Sequence, residues 1–229
     1  MRFRLLILAA FVTIAAGCGS TPTATESITT ATTPVPVSPK PIAVTVFRVD
    51  NGLLRPTVEH VPHTAAVATA ALGALGLGAG VTISDGTANV ALDKATQDQA
   101  AEIVYTLTQF STVKNVDVAG RMGLTRDDFA SYVPPIFVES PAAGAEVPGT
   151  FHVSGTASVF EATLVVQLVR NGKVLLKQSV TASEGAPGRG TFDTTVHATP
   201  GAVTVAAFSP SAADGTPQHE VDVPVTIRR

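Results

Sequence analysis

Few side chains of this 229-residue chain stand where chemistry would need them. Cys18 is the only thiol, and a catalytic or metal-bound cysteine needs a histidine or a second cysteine beside it. No Ser/His/Asp or Cys/His set can be assembled around it. His60 and His63 have the spacing of a metal pair, but they flank Pro62, where a strand leaves for a helix. They therefore share no helical face and read as a solvated loop. The glycines at 76, 78 and 80 follow a helix and precede a strand, the reverse of a dinucleotide fingerprint, so they read as a helix stop. Ser183 to Gly190, with Arg189, lacks the lysine and the following helix of a phosphate loop. Asp85, Asp93 and Asp98 are accounted for by a turn, a strand end and a helix N-terminus. Glu161, between Phe160 and Ala162 at the start of an apolar run, would be costly to bury without donors. Its carboxylate is expected to accept hydrogen bonds from amides of a neighbouring loop, the alternative being that Phe160 and Glu161 form a contact site. No catalytic, cofactor-binding or metal-ligating residue is assigned, and no cofactor is expected.

The position of Cys18 explains it better than its reactivity does. Arg2 and Arg4 make a basic n-region, Leu5 to Ala16 an apolar h-region, and Ala15, Ala16 and Gly17 supply the small residues a signal peptidase requires. The apolar run falls short of the roughly 20 residues of a membrane-spanning helix. A single unpaired cysteine otherwise brings an exported protein little. The segment resembles the lipobox of bacterial lipoproteins, with Ala15 where that family most often has leucine. The resemblance implies a thioether-linked diacylglycerol on Cys18 and a mature chain that begins there. Two acyl chains, at about 0.8 kcal/mol per buried methylene, hold a protein stably at a membrane. Residues 1–17 thus read as the signal peptide, and the protein as extracytoplasmic and lipid-anchored to the cell membrane.

Once Arg2 and Arg4 are set aside, 13 basic residues face 18 acidic ones, a net charge of about −5. That balance disfavours nucleic acid and anionic membrane surface as partners, and no nucleic-acid partner is expected. Without a second cysteine the fold must rest on apolar packing, and without tryptophan the expected large core residues of the second half are Phe151, Phe160, Phe192 and Phe208. From Ser20 to Pro39, ten of twenty residues are Ser or Thr and four are Pro. Residues 18–40 therefore read as a lipidated tether with little to bury, either O-glycosylated or bare, spanning on the order of 25 Å.

Beyond the tether, alternation at Ile42, Val44 and Val46, the Asn51-Gly52 turn and a return through Val58 predict a hairpin. Thr64 is expected to cap a helix with Val67, Ala71, Leu72 and Leu75 on one face. Two short strands should surround Asp85-Gly86. Thr96 and Gln99 form a capping box for a second helix carrying Ala100, Ile103, Val104 and Leu107. A last strand in TVKNVDVAG completes the order ββαββαβ over 41–120, an α+β domain whose helices cover one sheet face. A connector, 121–134, leads to 135–229, where seven short strands predict an all-β immunoglobulin-like sandwich without the paired cysteines and tryptophan of antibody domains.

The residues of the second half carry a family resemblance. Ser154-Gly155-Thr156-Ala157, followed by Phe160-Glu161-Ala162 and later by Ser211 to Gly215, resembles the immunoglobulin-like domain of bacterial spore germination. In the first half, DGTANVALD and QAAEIVYTLTQFSTVKNV are similar to the GerMN sporulation and germination domain. There GALGLGAG stands in place of a longer passage, so any surface that passage forms is absent or reduced. The resemblance implies a non-enzymatic membrane lipoprotein that binds and helps assemble other envelope proteins; sporulation itself does not follow from it. The alternative is binding of cell-wall glycan or a small ligand, with a concave pocket between the domains. Hydrolysis of wall polymers would need converging carboxylates or a metal.

Overall fold

In the computed structural model of the protein, which describes residues 39–229, the first alternating run becomes strand β1 (Ile42–Asp50). Strand β2 (Leu53–Val61) returns antiparallel to it. Asn51 and Gly52 both hold positive φ, 51° and 76°, as a two-residue hairpin of this hand requires. The signal segment, Cys18 and the tether up to Ser38 lie outside the described residues.

Helix α1 (Val67–Ala74) follows Ala66, not Thr64; the Thr64 hydroxyl instead accepts the Ala66 N–H at 3.0 Å in the turn before the helix. At its far end Gly76 takes φ +84°, and the Gly76 and Leu77 amides return to Gly73 and Leu72 at 2.9 Å each. This closes the free carbonyls of the last turn. Strands β3 (Val81–Ser84) and β4 (Thr87–Val90) pair across Asp85-Gly86. Helix α2 (Gln97–Leu107) opens on Thr96: its Oγ1 accepts from the Gln99 N–H at 3.1 Å, and Gln99 Oε1 from the Thr96 N–H at 3.0 Å. Strand β5 (Asn115–Val118) lies parallel to β4.

Two features depart from the expected order. The stretch read as a connector contains strand β6 (Arg121–Leu124), antiparallel to β5, and 3-10 turns within Arg126–Tyr132. Ala119 and Gly120, with φ of 51° and 75°, make a hairpin turn like Asn51-Gly52, but alanine seldom takes this backbone and so gives no signal. The strands also form two sheets rather than one, β1-β2 and β3-β4-β5-β6. The outer edge of β1 is closed by α2 and the residues after it. The Phe47 N–H donates to Thr106 Oγ1 at 3.0 Å, the Val49 N–H to Glu102 Oε1 at 2.8 Å, and Gln109 Nε2 to the Thr45 carbonyl at 2.7 Å. Side chains thus take the positions a neighbouring strand would fill.

Glu102 performs this task at an electrostatic cost. Burial pushes its carboxyl above the ordinary 4.5, with Asp98 adding to the rise, while the Val49 amide and Arg48 oppose it. The native state therefore binds this proton more tightly than the unfolded chain does, and its contribution to stability is lost as pH rises from 4.5 through the raised value. Glu102→Gln keeps an acceptor for Val49 and should flatten that part of the pH profile. Urea midpoints measured across the window would show it, and an unchanged slope would reject the assignment.

From residue 136 onward the chain is all strand apart from turns, and it forms an immunoglobulin-like sandwich. Strands β7 (Ile136–Ser140), β9 (Thr150–Ala157) and β12 (Gly190–His197) make one sheet in the order β12-β9-β7. Strands β8 (Glu146–Val147), β10 (Thr163–Arg170), β11 (Lys173–Thr181), β13 (Gly201–Pro210) and β14 (Pro217–Ile227) make the other, ordered β11-β10-β13-β14-β8. The two-residue β8 was not read from the sequence. Ile136, Val153, Leu164, Leu168, Phe192 and Val205 are among the residues filling the space between the sheets. Gly155 is required by contact: a Cβ there would fall 1.9 Å from the Phe137 carbonyl oxygen. The glycine of the Ser154-Gly155-Thr156 motif thus lets β9 lie close against β7.

Pro39–Arg229 form one compact unit. Side chains alternate along β7: Ile136 and Val138 enter the sandwich core, whereas Phe137 enters the core of the first half. There its ring lies 6.1 Å from Phe47 and 6.0 Å from Tyr105. The segment between β7 and β8 is stitched to both sides. The Ala143 N–H donates to the Pro56 carbonyl at 3.0 Å, and the Val58 N–H to the Ala143 carbonyl at 2.8 Å. On the other side the Gly144 N–H meets the Pro224 carbonyl at 2.8 Å, and the Thr226 N–H the Ala145 carbonyl at 2.9 Å.

Candidate functional site

Two concave surfaces flank this seam. The larger is an open cleft of about 800 Å³, to which the first half contributes Gln109, Lys114, Arg126 and Asp127 and the sandwich Glu139 and Ser140. Arg126 organises it. Its Nε donates to Thr108 Oγ1 at 2.9 Å and its Nη1 to Glu139 Oε2 at 2.6 Å. The guanidinium lies 4.7 Å from the Tyr105 ring centre and 5.6 Å from that of Phe47, over the same aromatic group that receives Phe137. Cation and rings attract through the ring quadrupole. Burial raises the Tyr105 phenol, and Arg126 is the main opposing influence.

Chemically this cleft offers groups of both senses. Gln109 spends its amide N–H groups on Thr45 and Thr106, which leaves its carbonyl oxygen to accept. Lys114 donates and Ser140 can do either. Asp127 and Glu139 are two carboxylates lining one cleft, but Glu139 is tied to Arg126. Such a surface suits a hydroxyl-rich, neutral ligand better than a strongly charged one.

The smaller cavity, about 290 Å³, lies on the far side of Ala143 and is apolar at its base, with Leu54, Pro56, Pro135 and Phe137, and acidic at its edge, with Glu220 and Asp222. A second arginine secures the neighbouring chain. Arg189 donates to the Pro134 carbonyl at 2.9 Å and to Thr156 Oγ1 at 3.2 Å, and burial lowers its pKa.

The structure corrects the reading of Phe160 and Glu161. Phe160 is 67% exposed and is no core residue, unlike Phe151, Phe192 and Phe208, which are buried. Strand β10 starts at Thr163, so Glu161 precedes it, exposed, in a tight turn where Glu161 and Ala162 hold φ of 51° and 54°. Its carboxylate accepts no hydrogen bond among the described residues; the Glu161 carbonyl accepts one from Thr163 Oγ1 at 3.1 Å. Buried carboxylates need donors, and this one avoids the need by staying in water. The turn itself is fixed by its backbone: the Ala182 N–H donates to the Ala162 carbonyl at 2.8 Å and the Ala186 N–H to the Val159 carbonyl at 2.9 Å. Cys18 lies outside the described residues. His60 and His63 are both exposed, and no cluster of three metal-ligating side chains occurs among the described residues.

The sequence offered a concave pocket between the domains only as part of the alternative reading, and it assigned to that pocket none of the residues that line either cleft. Arg126 sits in an exposed-looking RDDF stretch, and its partners Thr108 and Glu139 lie 18 and 13 residues away. Thr106, a fully buried hydroxyl on α2, lines neither cleft; it marks the closed edge of β1 instead.

The architecture of the second half defines an immunoglobulin-like domain. Residues 135–216 match the family described as the immunoglobulin-like domain of bacterial spore germination. No curated protein matches the chain. Among solved structures it is similar to an engineered protein, at 21% identity and a TM-score of 0.32, over 50% of this chain and 22% of that one. This chain therefore spans about a fifth of that protein's length.

Proposed function

We propose that this protein is a lipid-anchored envelope lipoprotein that acts by binding, as a module for the assembly of other envelope proteins, and that it is not an enzyme. In this reading Cys18 carries the lipid, the Ser/Thr/Pro tether raises the folded unit from the membrane, and the first half is a shortened GerMN-like domain. The observation that carries it is the match of residues 135–216 to the spore-germination immunoglobulin-like family. The exposed Phe160 on its backbone-fixed turn supports it, since interface anchors are commonly aromatic. Among the described residues no helix is long and apolar enough to cross a membrane.

A second reading, binding of cell-wall glycan or a small polar ligand, draws support from the 800 Å³ cleft and its mixed donors and acceptors. The test that separates the two is crosslinking in the intact envelope followed by recovery of the chain, with Cys18→Ala as control. The assembly reading predicts a reproducible set of envelope proteins with the native chain. It also predicts that Cys18→Ala leaves the membrane fraction and loses that set. Recovery of wall glycan alone would favour the second reading, and a Cys18→Ala chain still wholly membrane-bound after a carbonate wash would reject the anchor.

A further inference from the structure

The smaller cavity has the geometry of a strand position left open between two backbone edges. Ala143 bridges Thr57 of β2 in the parallel sense and, after a turn at Gly144 (φ 83°), Glu146–Val147 pair parallel to β14, so at this level one short segment bonds to both strands. The cavity lies just upstream of that bridge, between Leu53–Thr57 of β2 and residues 219–223 of β14. Backbone groups alternate sides along a strand. Because Val58 donates and Pro56 accepts toward Ala143, Leu54 must turn its N–H and carbonyl the same way, into the cavity. Because Pro224 accepts and Thr226 donates toward residues 144 and 145, Asp222 must do likewise from the other side. Neither backbone has a partner on that side among the described residues. Ahead of Asp222 the β13–β14 register slips by a bulge, with His219 at φ 54°, before pairing resumes at Ser209 and Gln218.

We propose that this lane receives an extended segment of a partner polypeptide as an added strand, one carrying alternate apolar and basic side chains. The assignment rests on the assembly reading above and names the kind of contact it uses. Pairing with both edges supplies affinity, and alternate side chains supply choice. One face of the entering strand meets Leu54, Pro56, Pro135 and Phe137, in a cavity of about 290 Å³ that holds apolar side chains. The other face meets Glu220 and Asp222, both exposed and neither ion-paired among the described residues. The one arginine of the lining, Arg55, is held by Asp50 at 3.1 Å. The edge is therefore net acidic, and a lysine- or arginine-bearing strand complements it.

The test uses the full-length chain and a labelled acetyl-Val-Lys-Val-Lys-Val-Lys-amide peptide, followed by fluorescence anisotropy. The peptide should bind, its valine–glutamate counterpart should not, and methylation of the valine amide nitrogens should weaken binding at least about tenfold. Glu220→Lys/Asp222→Lys, on two exposed side chains, should weaken it by a similar factor. Absence of binding, equal affinity for the acidic peptide, or indifference to N-methylation would overturn the proposal. So would slow hydrogen exchange at Leu54 and Asp222 in the free chain that disappears on deletion of residues 19–38, since the lane would then belong to the tether. If crosslinking recovers envelope proteins but the peptide fails, the assembly reading stands and the lane falls.

Discussion

Replacing Phe137 by alanine is expected to lower the free energy of unfolding by about 3–5 kcal/mol, the range for truncating a fully buried phenylalanine. The residue is 2% exposed and belongs by chain position to the sandwich, but by packing to the core of the first half. Its loss therefore removes contacts from both sides of the seam. Both tyrosines, Tyr105 and Tyr132, lie in the first half, so tyrosine fluorescence reports that half alone while far-ultraviolet dichroism reports the whole. In urea the two signals should move together in Phe137→Ala and remain coincident in the native chain. A tyrosine transition that shifts while the dichroism of the sandwich stays in place would show that the seam carries little coupling.

Thr106→Val is the second large effect. The substitution preserves shape and removes one hydroxyl, so the Phe47 N–H, which donates to it at 3.0 Å in a fully buried site, loses its acceptor. Leaving a buried donor unsatisfied costs about 1–3 kcal/mol, whereas Thr106→Ser keeps the bond and should cost well under half of that. Equal destabilisation by valine and serine would mean that the methyl group, and not the hydroxyl, matters at this position.

Much of the local structure was legible because its signals are short-range. Asn51-Gly52 and Asp85-Gly86 are turns whose chemistry lies in two adjacent residues, and the Thr96/Gln99 box spans one helical turn. What was not legible depends on distant neighbours. The separation of the first-half strands into two sheets comes from three side chains of the α2 region reaching β1 across more than fifty residues of chain. Ala119-Gly120 forms a turn without the usual residues, which hid β6 in an apparent connector. Phe160 was misassigned because hydrophobicity alone places a phenylalanine inside, whereas the left-handed Glu161-Ala162 turn beside it ends the loop at the surface. The clefts are products of the seam, and no contiguous stretch of sequence encodes them. Gly155 shows the two levels meeting: the motif that carries the family resemblance also permits the close approach of β7, and β7 delivers Phe137 to the other half.

Everything proposed about function begins with where the chain is held. Mass spectrometry of the protein isolated from membranes tests this directly, by reading the residue at the mature N-terminus and the mass attached to it. The account predicts that the chain begins at Cys18, with a diacylglycerol on its sulfur. A chain that retains Arg2 and Arg4, or one cleaved elsewhere with Cys18 a free thiol, would contradict it.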